Sequence, residues 1–149
     1  TPEQVNLNQI IAELYPNIEA NARHKGVWLE LDLEKSRKVN INGDADRIRA
    51  LVNHLITMFL HFMDEGELLT IQTKSGKEGV KLMLADSGDA KEDLLESVFN
   101  PSAQTGVGGA DFGRAVCKHL VSSLRGSVHI KHKKNFGNLM TVTIPYNAG

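Results

Sequence analysis

Apolar residues at Leu7, Ile10, Ile11, Leu14, Ile18 and Ala22 recur every three or four positions, which predicts a first helix near residues 7–24. Asn6 is placed to cap it, and Pro16 is expected to bend it. The period then changes. Val27, Leu29, Leu31 and Leu33 alternate with polar residues, the pattern of a half-buried strand. A short extended piece, Val39 to Asn42, leads through Gly43 to Asp44, a capping residue for a second helix near 45–63. That helix carries Ile48, Leu51, Val52, Leu55, Ile56, Phe59 and Phe62 on one face, and Gly66 is expected to end it. Leu68 to Thr73 and Val80 to Ala85 read as a hairpin about the turn Ser75-Gly76-Lys77-Glu78-Gly79. A short helix near 91–98, a Gly-rich loop from Pro101 to Gly109, a third helix near 112–125 and a closing hairpin (Val128 to Lys131, Leu139 to Ile144) complete the chain. Strands joined mostly by hairpins, with helices to cover one face, predict an α/β two-layer sandwich on a mixed, mostly antiparallel sheet.

Composition narrows the class. The 149 residues are 41% hydrophobic and 23% charged, enough for one domain with a real core, and no boundary or repeat divides residues 1–149. Seventeen basic residues against 18 acidic ones give a net charge of −1, too little positive charge to make nucleic acid or an anionic membrane the first expectation. The single cysteine, Cys117, excludes a disulfide framework and fits a reducing compartment. It reads as a small buried hydrophobe among Val116 and Leu120. No apolar run is long enough to cross a bilayer. A chain that opens Thr-Pro-Glu-Gln without an initiator Met reads as a piece of a longer protein.

Three local features could carry chemistry. On the second helix Asn53, Thr57, Leu60 and His61 stand at i, i+4, i+7 and i+8 and so share a face, read as a polar strip beside the apolar stripe. Strand Leu82 to Ala85 ends in Asp86-Ser87-Gly88; a carboxylate there can accept from an exocyclic amine, and glycine lets a flat ring approach the backbone. The segment Gly108-Gly109-Ala110-Asp111-Phe112-Gly113 opens the third helix, where free N–H groups favour an anion. Each alone has a plainer structural reading as a helix edge, an Asp-Ser-Gly turn or a surface loop. The six histidines do not form a ligand set: His129 and His132 alternate across a strand, and His54 and His61 lack carboxylate or thiol partners nearby in sequence. The basic turn around Lys133 reads as a solvated hairpin tip.

In this order the features resemble the ATP-binding catalytic domain of sensor histidine kinases, the GHKL or Bergerat fold, over nearly the whole chain. Val5 to Ile11 is similar to the segment that follows the phosphoacceptor helices in that family. Asn42 to Ile48 is similar to its Gly-Asp-x-x-Arg-Leu stretch, and Leu51 to Leu55 to the start of its N box. Asp86-Ser87-Gly88 resembles the G1 box and Leu95 to Pro101 the F-box region. Ala115 to Val121 resembles the helix after the G2 box, and Gly137 to Pro145 the closing motif.

The resemblance implies a two-component signalling domain with ATP and Mg²⁺ as cofactors. Its product would be a phosphohistidine on a dimerisation domain N-terminal to this chain, with a response regulator as further partner and a cytoplasmic location. It implies nucleotide contacts at Asn53, Thr57, His61, Asp86, Gly88, Gly109 and Gly113, with Mg²⁺ near Asn53 and Thr57. The family's catalytic residues are not carried over. Departures fall on the phosphate side: Thr57 stands for an Asn that helps hold Mg²⁺ and Leu60 for a phosphate-contacting Lys. Ala90 stands for the second Gly of the G1 box, and Asp111 puts negative charge in the lid. The expectation is a kinase domain with weakened nucleotide binding, or a pseudokinase that has lost ATP and serves as a docking module. A hydrolase of another branch of the family would carry a Glu where Asn53 stands.

Overall fold

The computed structural model describes residues 3–87, 117–133 and 137–149. Strand β1 (Glu3–Asn6) runs antiparallel to β3 (Asn40–Gly43), a pairing of two four-residue segments far apart in sequence. Helix α1 (Leu7–Lys25) begins where Asn6 Oδ1 accepts from the backbone N–H of Gln9 at 3.0 Å, and it ends at Gly26, whose φ of 74° suits a left-handed cap. The helix continues through Pro16 as one element. The hydrogen bond that proline removes belongs to the carbonyl of Ala12, and both residues lie on the exposed face, where water can replace it.

Helix α2 (Ala45–His61) starts at Asp44, whose carboxylate accepts from the N–H groups of Asp46 and Arg47. It closes at Phe62 rather than at Gly66, which serves the turn beyond it with φ 88°. Residues 117–123, labelled α3, are the described part of the third helix.

The main sheet has five strands in the order β2 (Trp28–Asp32), β4 (Leu68–Ser75), β5 (Val80–Asp86), β7 (Gly137–Ile144), β6 (Ser127–Lys133). All neighbours are antiparallel except β2 and β4, which are parallel because β3 and α2 lie between them in sequence and carry the chain back across. Inward residues recur with period two: Leu69 and Ile71 on β4, Val80, Leu82 and Leu84 on β5, Met140, Val142 and Ile144 on β7. They meet Ile10, Ile11 and Ile18 of α1, Leu51, Leu55 and Phe59 of α2, and Leu120 and Leu124 in a single core, so the helices cover one face. This is the two-layer sandwich with a mixed, mostly antiparallel sheet that the periodicities predict.

Strand β2 departs from the expected pattern. Leu31 is 39% exposed and Trp28 71%, because β2 is an edge strand paired only with β4, at the margin of the helical cover. The buried polar side chain of Thr73, in the inward phase of β4, is satisfied locally. Its hydroxyl donates to Asn8 Oδ1 at 2.6 Å and accepts from Glu34 N–H at 2.9 Å. Cys117 is fully buried, and desolvation pushes its thiol from 9.0 up to about 12. The unfolded thiol therefore ionises first, so this residue's contribution to stability is complete below about pH 9 and lost as pH rises towards 12. Alkylation by iodoacetamide at pH 8 is expected to be very slow in the native protein and fast in urea; equal rates would show that the thiol is accessible.

Candidate functional site

Asp86 is the last residue of β5 and continues the inward phase of Val80, Leu82 and Leu84, so a carboxylate is only 6% exposed at the end of an apolar row. On β7 the same phase contains Asn138, Met140, Val142 and Ile144, with Asn138 1% exposed. The antiparallel register sets Ala85 opposite Leu139 and therefore brings Asp86 to Asn138. The Asn138 backbone N–H donates to Asp86 Oδ1 at 3.1 Å, and Asn138 Nδ2 donates to Oδ2 at 3.2 Å. A buried carboxylate is costly unless hydrogen-bonded, and here each oxygen accepts from the neighbouring strand.

Gly137 makes this approach possible. Its φ is 96°, and a Cβ there would overlap the Asp86 carbonyl oxygen and lie 2.6 Å from Oδ1. On the other side, Ser87 is tied to β4: its hydroxyl accepts from Leu68 N–H at 2.8 Å, and its own N–H donates to the Leu68 carbonyl at 3.1 Å. Asp86 thus sits on a strand end fixed from both neighbours.

The α2 strip divides. Thr57 and His61 are exposed and Asn53 is half-buried, but Leu60 is only 3% exposed and belongs to the core. The expected common face of Asn53, Thr57, Leu60 and His61 is therefore corrected: it straddles the boundary of the buried arc, and the apolar Leu60 side chain packs inward at the border. The His61 ring meets Phe62 edge-on at 5.3 Å, and its carbonyl accepts from Lys25 Nζ at 3.0 Å, which ties the ends of α1 and α2. Gly88, Ala90, Gly109, Asp111, Gly113 and the short helix near 91–98 lie outside the described residues.

Among the described residues two kinds of oxygen donor are available at the expected positions. Asp86 offers fixed acceptor oxygens, which suit an exocyclic amine. Asn53 and Thr57 offer two neutral side-chain oxygens one turn apart, a partial set for a hard cation. Among the described residues no cluster of His, Cys, Asp and Glu is arranged to hold a metal. A cleft of about 350 Å³ between α1 and β2, lined by Tyr15, Ala22, Val27 and Trp28, contains none of Asn53, Thr57, His61 or Asp86 and is separate from this site. Asn138 was not among the expected site residues. The signal that could have found it is a polar residue in the inward phase of an apolar strand, the same signal that Asp86 gives on β5.

These features define a two-layer α/β domain with a buried acceptor at the end of a central strand. The sequence profile of the histidine kinase-, DNA gyrase B- and HSP90-like ATPases matches residues 43–148, and the chain belongs to this family. Sporulation kinase D of Bacillus subtilis is 26% identical over 144 residues, covering 96% of this chain and 28% of that protein. Sensor histidine kinase RcsC of Escherichia coli is 26% identical over 154 residues, covering 97% and 15%. The catalytic domain of histidine kinase ThkA superposes with a TM-score of 0.82 at 21% identity, covering 99% of this chain and 97% of that one. Full-length ShkA, solved in complex with AMPPNP, gives 0.78 at 19% identity, covering 97% and 31%. The fold is that of histidine kinase catalytic domains, and the chain spans less than a third of the length of the two kinases RcsC and sporulation kinase D. Among the described residues no helix is long and apolar enough to cross a membrane.

Proposed function

We propose that the chain is the nucleotide-binding catalytic domain of a sensor histidine kinase, with adenine recognition retained and phosphate recognition weakened. The observation that carries this reading is Asp86, a buried carboxylate held by Asn138 at the end of β5. Its oxygens accept from the exocyclic amine of adenine, while Gly88 lets the ring lie against the backbone. Bound ATP supplies a transferable phosphoryl group, and its acceptor is a histidine on a dimerisation domain N-terminal to this one. Asn53 and Thr57 are the groups that would hold Mg²⁺ and orient the phosphates, with His61 one turn beyond Thr57 on the same helix; the family resemblance adds Gly109 and Gly113 to the nucleotide contacts. Positioning and charge neutralisation are what such a domain contributes to phosphoryl transfer. A response regulator is the expected downstream partner, and the domain works in the cytoplasm. The nucleotide analogue in the ShkA complex supports a nucleotide in this fold.

A second reading, a pseudokinase that docks a response regulator or partner kinase without ATP, is favoured by one specific observation. Leu60, which replaces a cationic side chain in the family pattern, is part of the core. Its phosphate contact is therefore absent, and the packing that replaced it would resist reversal. Leu60→Lys is expected to lower stability by about 1–3 kcal/mol, because an ammonium must be desolvated or the side chain must leave its packing. Thr57→Asn lies on the exposed side and should fold normally. It adds an amide oxygen for the metal, so Mg²⁺-ATP affinity should rise by about 1 kcal/mol with a smaller gain for ADP. Calorimetric titration of the variant with both nucleotides checks this, and equal gains would contradict the phosphate-side role of residue 57.

A further inference from the structure

We propose that the face of the main sheet turned away from the helices is a weak self-association surface, on which a second copy of this chain stacks about a two-fold axis parallel to the strands. The pairing registers set the outward side chains in rows across the sheet. One row runs Glu30, Thr70, Ala85, Leu139, Lys131, and the next runs Asp32, Gln72, Met83, Thr141, His129. In both rows the residues of the three central strands are uncharged and half-buried, and the ionisable ones lie exposed on the two edge strands. An uncharged centre inside a charged rim is the anatomy of an interface rather than of a solvated sheet face. Trp28, two residues before Glu30 and so in the same phase, is 71% exposed and adds aromatic surface at one edge.

The two edges differ in sign, and this decides what the face fits. Strand β2 presents Glu30 and Asp32, whereas β6 presents His129 and Lys131. Stacked sheets keep their strands within about 30° of one another at a separation of about 10 Å. A two-fold axis running along the middle strand, β5, reverses the strand order and keeps the rows. It lays β2 of one copy over β6 of the other, so Glu30 meets Lys131 and Asp32 meets His129, once at each edge. Over the axis Met83 meets Met83 and Ala85 meets Ala85. An axis across the strands would instead lay β2 over β2, carboxylate on carboxylate, which the charges oppose.

Size and one misfit keep the association weak. Strands such as β5 and β6 have seven residues. At about 3.3 Å per residue and about 4.8 Å between strands, stacking covers on the order of 1,000 Å² over both copies, the lower bound for a specific interface. Lys81 also points outward on β5 and falls opposite its own copy, although its side chain lies near the hairpin turn, with Cε 3.2 Å from where a Cβ on Gly76 would stand. The helices and the inward Asp86 are on the other side of the sheet, so this pairing neither covers α2 nor depends on a nucleotide.

The experiment is sedimentation equilibrium of the whole 149-residue chain at concentrations up to about 1 mM, in low and high salt. It compares the unmodified protein, Glu30→Lys, Lys131→Glu and an equimolar mixture of the two variants. Both positions are exposed, so both variants should fold. The unmodified chain is expected to show a monomer–dimer equilibrium that salt weakens. Each variant alone should dimerise about tenfold more weakly, because two attractive rim pairs become repulsive. The mixture should regain the affinity of the unmodified chain, since opposite signs then face each other at both edges. A chain that stays monomeric throughout, a dimer indifferent to both substitutions, or variants that do not recover on mixing would overturn the proposal.

Discussion

Replacing Gly137 with alanine is expected to lower the unfolding free energy by at least about 3 kcal/mol and to abolish nucleotide binding. Two costs add. The residue has a φ of 96°, which a side chain rarely adopts, and its Cβ would overlap the Asp86 carbonyl oxygen while lying 2.6 Å from Oδ1 and 2.9 Å from the carbonyl carbon. These are backbone atoms of a central strand and a buried carboxylate, not the tip of a flexible side chain. The start of β7 must therefore move away from β5, and both Asn138 hydrogen bonds to Asp86 break with it. Gly66 supplies the control. Its φ of 88° is similar, but nothing lies within 4 Å of a Cβ built on it. Gly66→Ala should cost only the conformational part, about 1–2 kcal/mol. Urea denaturation of the two variants measures the difference; equal losses would mean that the close approach of β7 to Asp86 carries no weight.

Asp86→Asn is expected to reduce ADP affinity by about 100-fold or more, which corresponds to losing roughly 3 kcal/mol from a hydrogen bond to a charged acceptor. The substitution keeps shape and volume, so packing of Leu82 and Leu84 is undisturbed. It does not keep the hydrogen bonds. An amide has one acceptor oxygen, and Asn138 directs two donors at this side chain, so one of them must face the new NH₂ group. Stability should fall by about 1–3 kcal/mol for that unmet donor at a site only 6% exposed. Thermal unfolding separates the two effects, because binding measured well below the transition reports the ligand contact alone. A variant that keeps its ADP affinity would remove Asp86 from the adenine site.

Much of this architecture was legible locally. The starts of α1 and α2 follow from single capping residues, Asn6 and Asp44, and the β4–β5 and β6–β7 hairpins follow from alternation broken by turns. What escaped depends on partners distant in the chain. Glu3–Asn6 becomes a strand only because Asn40–Gly43 lies beside it, and a four-residue segment carries no periodic signal of its own. Leu31 follows the inward phase of its strand yet is exposed, because its place at the sheet edge is a fact of topology. Leu60 sits at the border of two helical faces, where spacing alone does not decide between them.

The candidate site shows the same division. Asp86 was found by its position at a strand end before Ser-Gly. Its partner required the register of β7 on β5, which a linear reading of Gly137 to Pro145 does not contain. The polar residue in the inward phase was visible at 138, but without the pairing it had no counterpart to explain it. On the phosphate side the resemblance rests on residue types alone, and the structure adds only that Leu60 is packed in the core.

The most direct test of the account is calorimetric titration of the unmodified chain with ADP and with ATP, each with and without Mg²⁺, and repeated with Asp86→Asn. The account predicts weak binding of both nucleotides, little advantage of ATP over ADP, a small effect of Mg²⁺, and no measurable binding in the variant. Tight, strongly Mg²⁺-dependent ATP binding would contradict the weakened phosphate side, and absent binding, or binding that Asp86→Asn leaves intact, would contradict the adenine site.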